Sequence, residues 1–156
     1  MFWGEHTATI DGKGRTSIPA KYREIFVEAF DDERFFITKC LVDMGNGEVG
    51  RGLTAYPYKE FIAFAGGLNK MGYSANQINA IQRLVVGPAV ECSADKLGRV
   101  LIPPTLRSYA GLERDLVVIG MQNKIEIWSQ ESWDRVIRQA EKDYLSAADA
   151  LAIPGI

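Results

Sequence analysis

Two hydrophobic rhythms alternate along the chain. "HTATI" (His6 to Ile10) exchanges polar and apolar residues with the two-residue period of a half-buried strand. Turn chemistry follows in "DGKG", and "RTSI" starts a second short strand. Pro19 suits the first turn of a helix, and Tyr22, Ile25, Phe26, Ala29 and Phe30 then recur at helical spacing. "RFFITKCLV" and "GLTAYP" are β-branched or aromatic runs that predict a hairpin. From 58 to 86 the period is helical again, broken at "AGGLNKMGYS". Ser74 is the expected N-cap of the second helix there, with Ile78, Ile81 and Leu84 on one face. The strand, turn, strand, short helix, hairpin succession then returns, with "GMQNK" as a tight turn between "LVVI" and "IEIW". A last helix opens on Ser129 as N-cap and carries Trp133, Val136, Ile137, Ala140 and Tyr144 as its apolar stripe. Glu131 and Arg135 are expected to pair at i,i+4 on it, and the tail "AADALAIPGI" is expected to fray.

The recurrence extends to identities. "DGKGRTSIPAKYR" (Asp11 to Arg23) and "DKLGRVLIPPTLR" (Asp95 to Arg107) align at an offset of 84 residues. They share six residues of thirteen, in the pattern D-x-x-G-R-x-x-I-P-x-x-x-R. Downstream, Tyr56 and Phe61 correspond to Trp128 and Trp133 at an offset of 72, so the first copy is expected to hold the longer hairpin loop, "DMGNGEVGRG". Two copies are too few for a solenoid. Four short strands per unit cannot bury both their faces, which predicts two half-domains paired in one pseudo-symmetric barrel. The expected class is mixed α+β, mainly β, with two β-β-α-β-β half-domains over 6–57 and 89–132. A helical connector over 58–86 and a C-terminal helix and tail over 133–156 flank them.

Composition narrows the function. The 156 residues are 47% hydrophobic and 24% charged, the balance of a folded globular protein. No apolar run is long enough to span a bilayer, and "MFWGEHTATIDGK" has neither the basic nor the apolar region of a secretory signal, so the expected location is cytoplasmic. Cys40 and Cys92 are isolated, with no CxxC spacing, and read as free thiols. With one histidine, His6, the chain offers little for a zinc site or a His-activated nucleophile. No phosphate-binding glycine loop of either standard spacing is present. These features argue against an enzyme and against a cofactor.

Net charge is −2, which exerts no global pull on nucleic acid. The distribution is uneven, however. The first copy of the motif carries +3 and the second +2, leaving −7 on the remainder. Positive charge concentrated on two turn-and-helix segments of an acidic chain is what a local phosphate-contacting surface requires. The candidate DNA contacts are Lys13, Arg15, Thr16, Ser17, Lys21 and Arg23 in the first copy and Lys96 and Arg99 in the second. Asp11 and Asp95 are expected to orient the arginines rather than touch a polyanion. Lys13, Thr16, Ser17 and Lys21 of the first copy are replaced by Leu97, Val100, Leu101 and Thr105 in the second. That contrast predicts Arg15 at the main reading surface and a smaller share for Arg99. On the competing reading, Asp-Gly and Gly-Arg only fix turn geometry and the chain is an oligomeric scaffold that binds proteins.

Three stretches, "MFWGEHTATIDGKGRTSIPAKYR", "GPAVECSADKLGRVLIPPTLRSYAGL" and "GMQNKIEIWSQESW", resemble the AbrB/SpoVT DNA-binding superfamily, and the full two-repeat arrangement resembles its MraZ family. The resemblance covers nearly the whole chain and departs from the family pattern at Thr16 and Ser17, where apolar or mixed residues are expected. It implies a swapped-hairpin barrel, ring-like homo-oligomers and a cytoplasmic, nucleoid-associated transcription regulator. It further implies binding to direct repeats in double-stranded DNA ahead of the division and cell-wall gene cluster, the regulator's own promoter included. The positions that carry the motif over are Asp11 with Arg15, and Asp95 with Arg99.

Overall fold

The computed structural model describes residues 1–151 of the chain. In order, the elements are β1 (Glu5–Thr9), β2 (Arg15–Ser17), α1 (Ala20–Phe30), β3 (Phe35–Asp43), β4 (Val49–Pro57), α2 (Tyr58–Gly66) and α3 (Ala75–Ile81). Then come β5 (Val90–Cys92), β6 (Arg99–Leu101), α4 (Pro104–Ala110), β7 (Asp115–Gly120), β8 (Ile125–Ser129) and α5 (Gln130–Leu151). The repeated succession is therefore present, with β1, β2, α1, β3, β4 matched by β5, β6, α4, β7, β8.

The strands form a six-stranded antiparallel sheet, β1-β7-β8-β4-β3-β5, and a two-stranded ribbon, β2-β6. The sheet order reads the same from either end once each strand is exchanged for its counterpart in the other copy. β1 of the first copy pairs with β7 of the second, and β5 of the second pairs with β3 of the first. Each copy thus gives its first strand to the other. The expected barrel is not closed by these pairings: the sheet ends on β1 and β5, and among the described residues the β-pairing that links it to the ribbon is the isolated Ile10–Thr16 bridge just past β1.

One core lies between the sheet, the ribbon and helices α1 and α4. Tyr22, Phe26, Phe35, Ile102, Leu116 and Ile127 are all at most 1% exposed in it. Each such side chain contributes about 1.5–3 kcal/mol of transfer free energy on burial. Phe2, which lies ahead of the repeated unit, is also fully buried and stacks on Phe30 at 5.9 Å. A second cluster on the other face of the sheet joins Val117, Trp128, Trp133 and Val136. The Trp128 indole N–H donates to Glu126 Oε1 at 3.0 Å, which satisfies the polar end of a fully buried ring.

Several local expectations change. Gly50 and Gly52 belong to β4, not to the loop, which shrinks to Met44–Glu48. The extra residues of the first copy lengthen its hairpin arms to nine residues each. The glycines there serve Trp128: a Cβ on Gly52 would stand 2.6 Å from the indole. α3 ends at Ile81 and continues as a π-helical turn over Gln82–Val86. The wider turn breaks the 3.6-residue spacing behind the expected stripe, and Ile78 and Ile81 are half-buried while Leu84 is 38% exposed. Arg135 of α5 pairs with Glu48 in the β3–β4 loop at 3.1 Å rather than with Glu131. Ser74 caps α3 in a reciprocal box with Gln77, and Ser129 accepts from the Ser132 N–H at the start of α5. α5 stays helical to Leu151, five residues into the expected frayed tail, and 152–156 lie outside the described residues.

Candidate nucleic-acid interface

The two motifs meet at the β2–β6 ribbon. Its register sets Arg15 opposite Leu101, Thr16 opposite Val100 and Ser17 opposite Arg99. Side chains alternate across a strand, so residues directly opposite share a face. Thr16 and Val100 point inward, each 2% exposed. Arg15, Ser17, Arg99 and Leu101 therefore share the outward face, with the two arginines on neighbouring strands.

Each arginine is braced alike. In the first turn Asp11 Oδ1 accepts the N–H groups of Lys13 at 2.9 Å and Arg15 at 3.0 Å, and Oδ2 accepts Arg15 Nε at 3.1 Å. In the second, Asp95 Oδ1 accepts Leu97 N–H and Arg99 N–H, both at 2.9 Å, and Oδ2 accepts Arg99 Nε at 3.1 Å. The aspartates are the natural choice, since a short carboxylate reaches the backbone two residues on. The Arg15 backbone N–H foremost, then that of Lys13 and the Arg15 side chain, holds the Asp11 carboxyl below its ordinary range. The Arg99 and Leu97 N–H groups and the Arg99 side chain do the same for Asp95. Only Nε of each guanidinium is engaged. The Nη groups of Arg15 and Arg99 have no hydrogen-bond partner among the described residues. A side chain held at Nε with its outer fork open is arranged for a bidentate acceptor.

Each turn is completed by the other copy. Ile18 N–H donates to Gly98 O at 3.1 Å, and Ile102 N–H to Gly14 O at 2.8 Å. Gly14 and Gly98 are buried with φ of 85° and 78°. A Cβ on Gly98 would lie 2.7 Å from the Arg23 guanidinium carbon, and one on Gly14 2.7 Å from that of Arg107. The last arginine of each motif thus lies across the turn of its counterpart.

This places the residues singled out from sequence. Lys13, Ser17, Lys21 and Lys96 are exposed, and Arg15 and Arg99 are half-exposed on the ribbon. Thr16 is turned into the core with its hydroxyl unpartnered among the described residues, so it does not belong to the outward face. Arg23 is half-buried, donates from Nε to Ile18 O at 3.2 Å and packs on Gly98. Sequence reasoning misses two residues. Arg107, the counterpart of Arg23, closes the repeated pattern, and that was its only signal. Leu101 stands in the comparison of the copies only as the apolar replacement of Ser17. Among the described residues no group of three or more His, Cys, Asp or Glu is placed to hold a metal ion, and no helix is long and apolar enough to cross a membrane.

Comparison with known proteins gives this geometry a lineage. The model of one protein family, described as "MraZ protein, putative antitoxin-like", matches the chain twice, over residues 1–84 and 85–153. The chain belongs to the MraZ family. Each of the two matches contains one copy of the motif, Asp11 with Arg15 in the first and Asp95 with Arg99 in the second. Relatives in the MraZ family include the protein named Transcriptional regulator MraZ of Geobacter metallireducens, 49% identical over 158 residues and the full length of both chains. That of Geotalea uraniireducens is 49% identical over 160 residues, again covering both chains fully. A more distant namesake from Desulfitobacterium hafniense keeps 40% identity over 156 residues and the whole of both chains.

Proposed function

We propose that this chain is a sequence-specific transcriptional regulator that reads double-stranded DNA with the outward face of the β2–β6 ribbon. One observation carries the reading: two arginines, each clamped at Nε by an aspartate and open at Nη, share one exposed face of a two-stranded ribbon. The major groove, about 12 Å wide, admits a two-stranded ribbon, and a guanidinium fork matches guanine O6 and N7. In this reading Arg15 and Arg99 address base edges or phosphates, and Lys13, Ser17, Lys21 and Lys96 contact the backbone. Asp11 and Asp95 orient, and Arg23 and Arg107 hold the opposite turns. No cofactor takes part. The relatives' name, Transcriptional regulator MraZ, supports the same assignment.

The finer features follow the family resemblance. The chain acts as a ring-like homo-oligomer on direct repeats upstream of the division and cell-wall gene cluster, in the cytoplasm on the nucleoid. Halves 6–57 and 89–132, joined by 58–86, make one swapped-hairpin unit, a reading that the exchange of β1 and β5 supports. A net charge of −2 per chain disfavours single-site binding, so several ribbons on tandem repeats gain by effective concentration. The test is a gel-shift titration with DNA from upstream of the chain's own gene, carrying one repeat or several. Retention that strengthens with repeat number and falls about 10³-fold or more between 50 and 200 mM salt, the loss typical of six or more phosphate contacts, is expected. No retention at low salt overturns the reading and leaves the oligomeric scaffold in its place.

A further inference from the structure

The outward face of the ribbon is not evenly polar. Leu101 stands opposite Arg15 and two residues along β6 from Arg99, on the same face as both. It is 59% exposed, and Leu97, at the tip of the preceding turn, is 72% exposed. At the counterpart positions the first copy has Ser17 and Lys13. The fold does not ask for leucine at either place. The N–H of Lys13 and of Leu97 makes the same 2.9 Å bond to its aspartate, and the strands that follow have equal length. Single exposed leucines are ordinary on a surface. Leu101 is unusual in being framed by two braced arginines whose outer nitrogens are open.

An apolar group inside a cationic frame matches the major groove. There, acceptors on guanine and on the phosphates lie beside the C5 methyl of thymine, which takes apolar side-chain contacts. A protein partner covering Leu101 would have to bury Arg15 and Arg99 with it, at the desolvation cost of two charges, unless carboxylates met both. DNA supplies acceptors and methyl groups on one surface. Building on the DNA-binding reading above, we infer that Leu101, aided by Leu97 at the turn tip, is a thymine-methyl reader set between the two arginines. The two copies are then unequal in what they read: the first offers hydroxyl and ammonium groups, the second an apolar contact to thymine.

The experiment removes the methyl alone. The upstream fragment is prepared in two forms, one with thymidine and one with deoxyuridine at every such position, and the affinity of the full-length protein for each is measured. Loss of one buried methyl weakens binding about 4-fold, so the wild-type ratio of affinities is expected at about 4 or above. Leu101→Ser, which installs the first copy's residue, is expected to bind the thymidine form more weakly and to bring the ratio to about 1. Leu101→Met, which restores apolar reach, is expected to keep it. A wild-type ratio near 1 overturns the inference while leaving DNA binding intact. A wild-type ratio that Leu101→Ser preserves also overturns it, because the methyl is then sensed elsewhere. Binding to neither form fails the DNA-binding reading itself, and the inference with it.

Discussion

At the scale of single residues, the Asp–Arg pairs work through geometry more than through ion-pair energy. The arginine and aspartate side chains are 34–44% exposed, where solvent screens such pairs and leaves them little ion-pair energy. What the aspartates supply is a fixed direction for each guanidinium, which on the proposed function lowers the ordering cost of binding DNA. Arg15→Ala and Arg99→Ala are each expected to weaken promoter binding by about 1–3 kcal/mol per ribbon, read by gel shift after circular dichroism shows an intact fold. The two braces agree within 0.1 Å, so any inequality between the variants comes from their neighbours, Lys13 and Ser17 against Leu97 and Leu101. Both carboxyls are held below their ordinary value of 3.8, so their ionised form stabilises the folded turn. That contribution is present above 3.8 and is lost only as pH falls through the lower folded value. In a carboxyl-carbon NMR titration Asp11 and Asp95 should therefore show midpoints under 3.8, and a midpoint at or above it contradicts the bracing. The thiols of Cys40 and Cys92 shift the other way, raised to about 11, mainly by burial and, for Cys40, also by Glu126. Thiolate is scarce at neutral pH, so both should resist alkylation until the protein is unfolded.

At the scale of elements, the motif is a pair of turns that complete each other. Gly98 has a φ of 78° and the Arg23 guanidinium against it, whereas Gly12 has open space around it and no positive φ. Gly98→Ala must bear left-handed strain of about 1–3 kcal/mol and push Arg23 away, and a comparable loss of stability in urea unfolding is expected. Gly12→Ala should be neutral or slightly stabilising, and equal losses for the two would show that turn flexibility, not this contact, governs stability. These elements were largely legible from the chain. The strand and helix periods, the turn at "GMQNK" and the caps at Ser74 and Ser129 all come from local chemistry, and local chemistry decides them. The expectation for Thr16 fails because a hydroxyl beside an arginine looks solvent-facing, whereas the two-residue period of β2 turns it inward against Val100. The roles of Arg23 and Arg107 depend on partners far along the chain, Gly98 and Gly14 in the opposite copy, which periodicity does not carry.

At the scale of the whole molecule, a duplicated sequence has become one structural unit. Each copy's first strand lies in the other's part of the sheet, and the ribbon takes one strand from each. The main core mixes Phe26, Phe35 and Leu53 of the first copy with Ile102, Leu116 and Ile127 of the second. The second cluster sets Trp128, Trp133 and Val136 against Cys40, Val42 and Met44. The repeat in the sequence announced two halves. The repeat by itself did not announce that they exchange strands, which only the family resemblance implied, because β3 and β7 are equally good partners for β1 by local pattern. The burial of Phe2 is hidden from the pattern for a related reason: it precedes the repeated unit, and its place is set by the bridge to Gln122. Exchange has a thermodynamic consequence. Opening either half strips an edge strand from the other and exposes the shared core, so neither half has a stable intermediate in which it stands alone. Urea unfolding followed at once by far-ultraviolet circular dichroism and by tryptophan emission, which includes buried Trp128 and Trp133, should give one coincident transition. Two separated transitions, the first leaving half of the secondary structure in place, would mean that the copies fold as independent domains and that the exchanged strands add little to their stability.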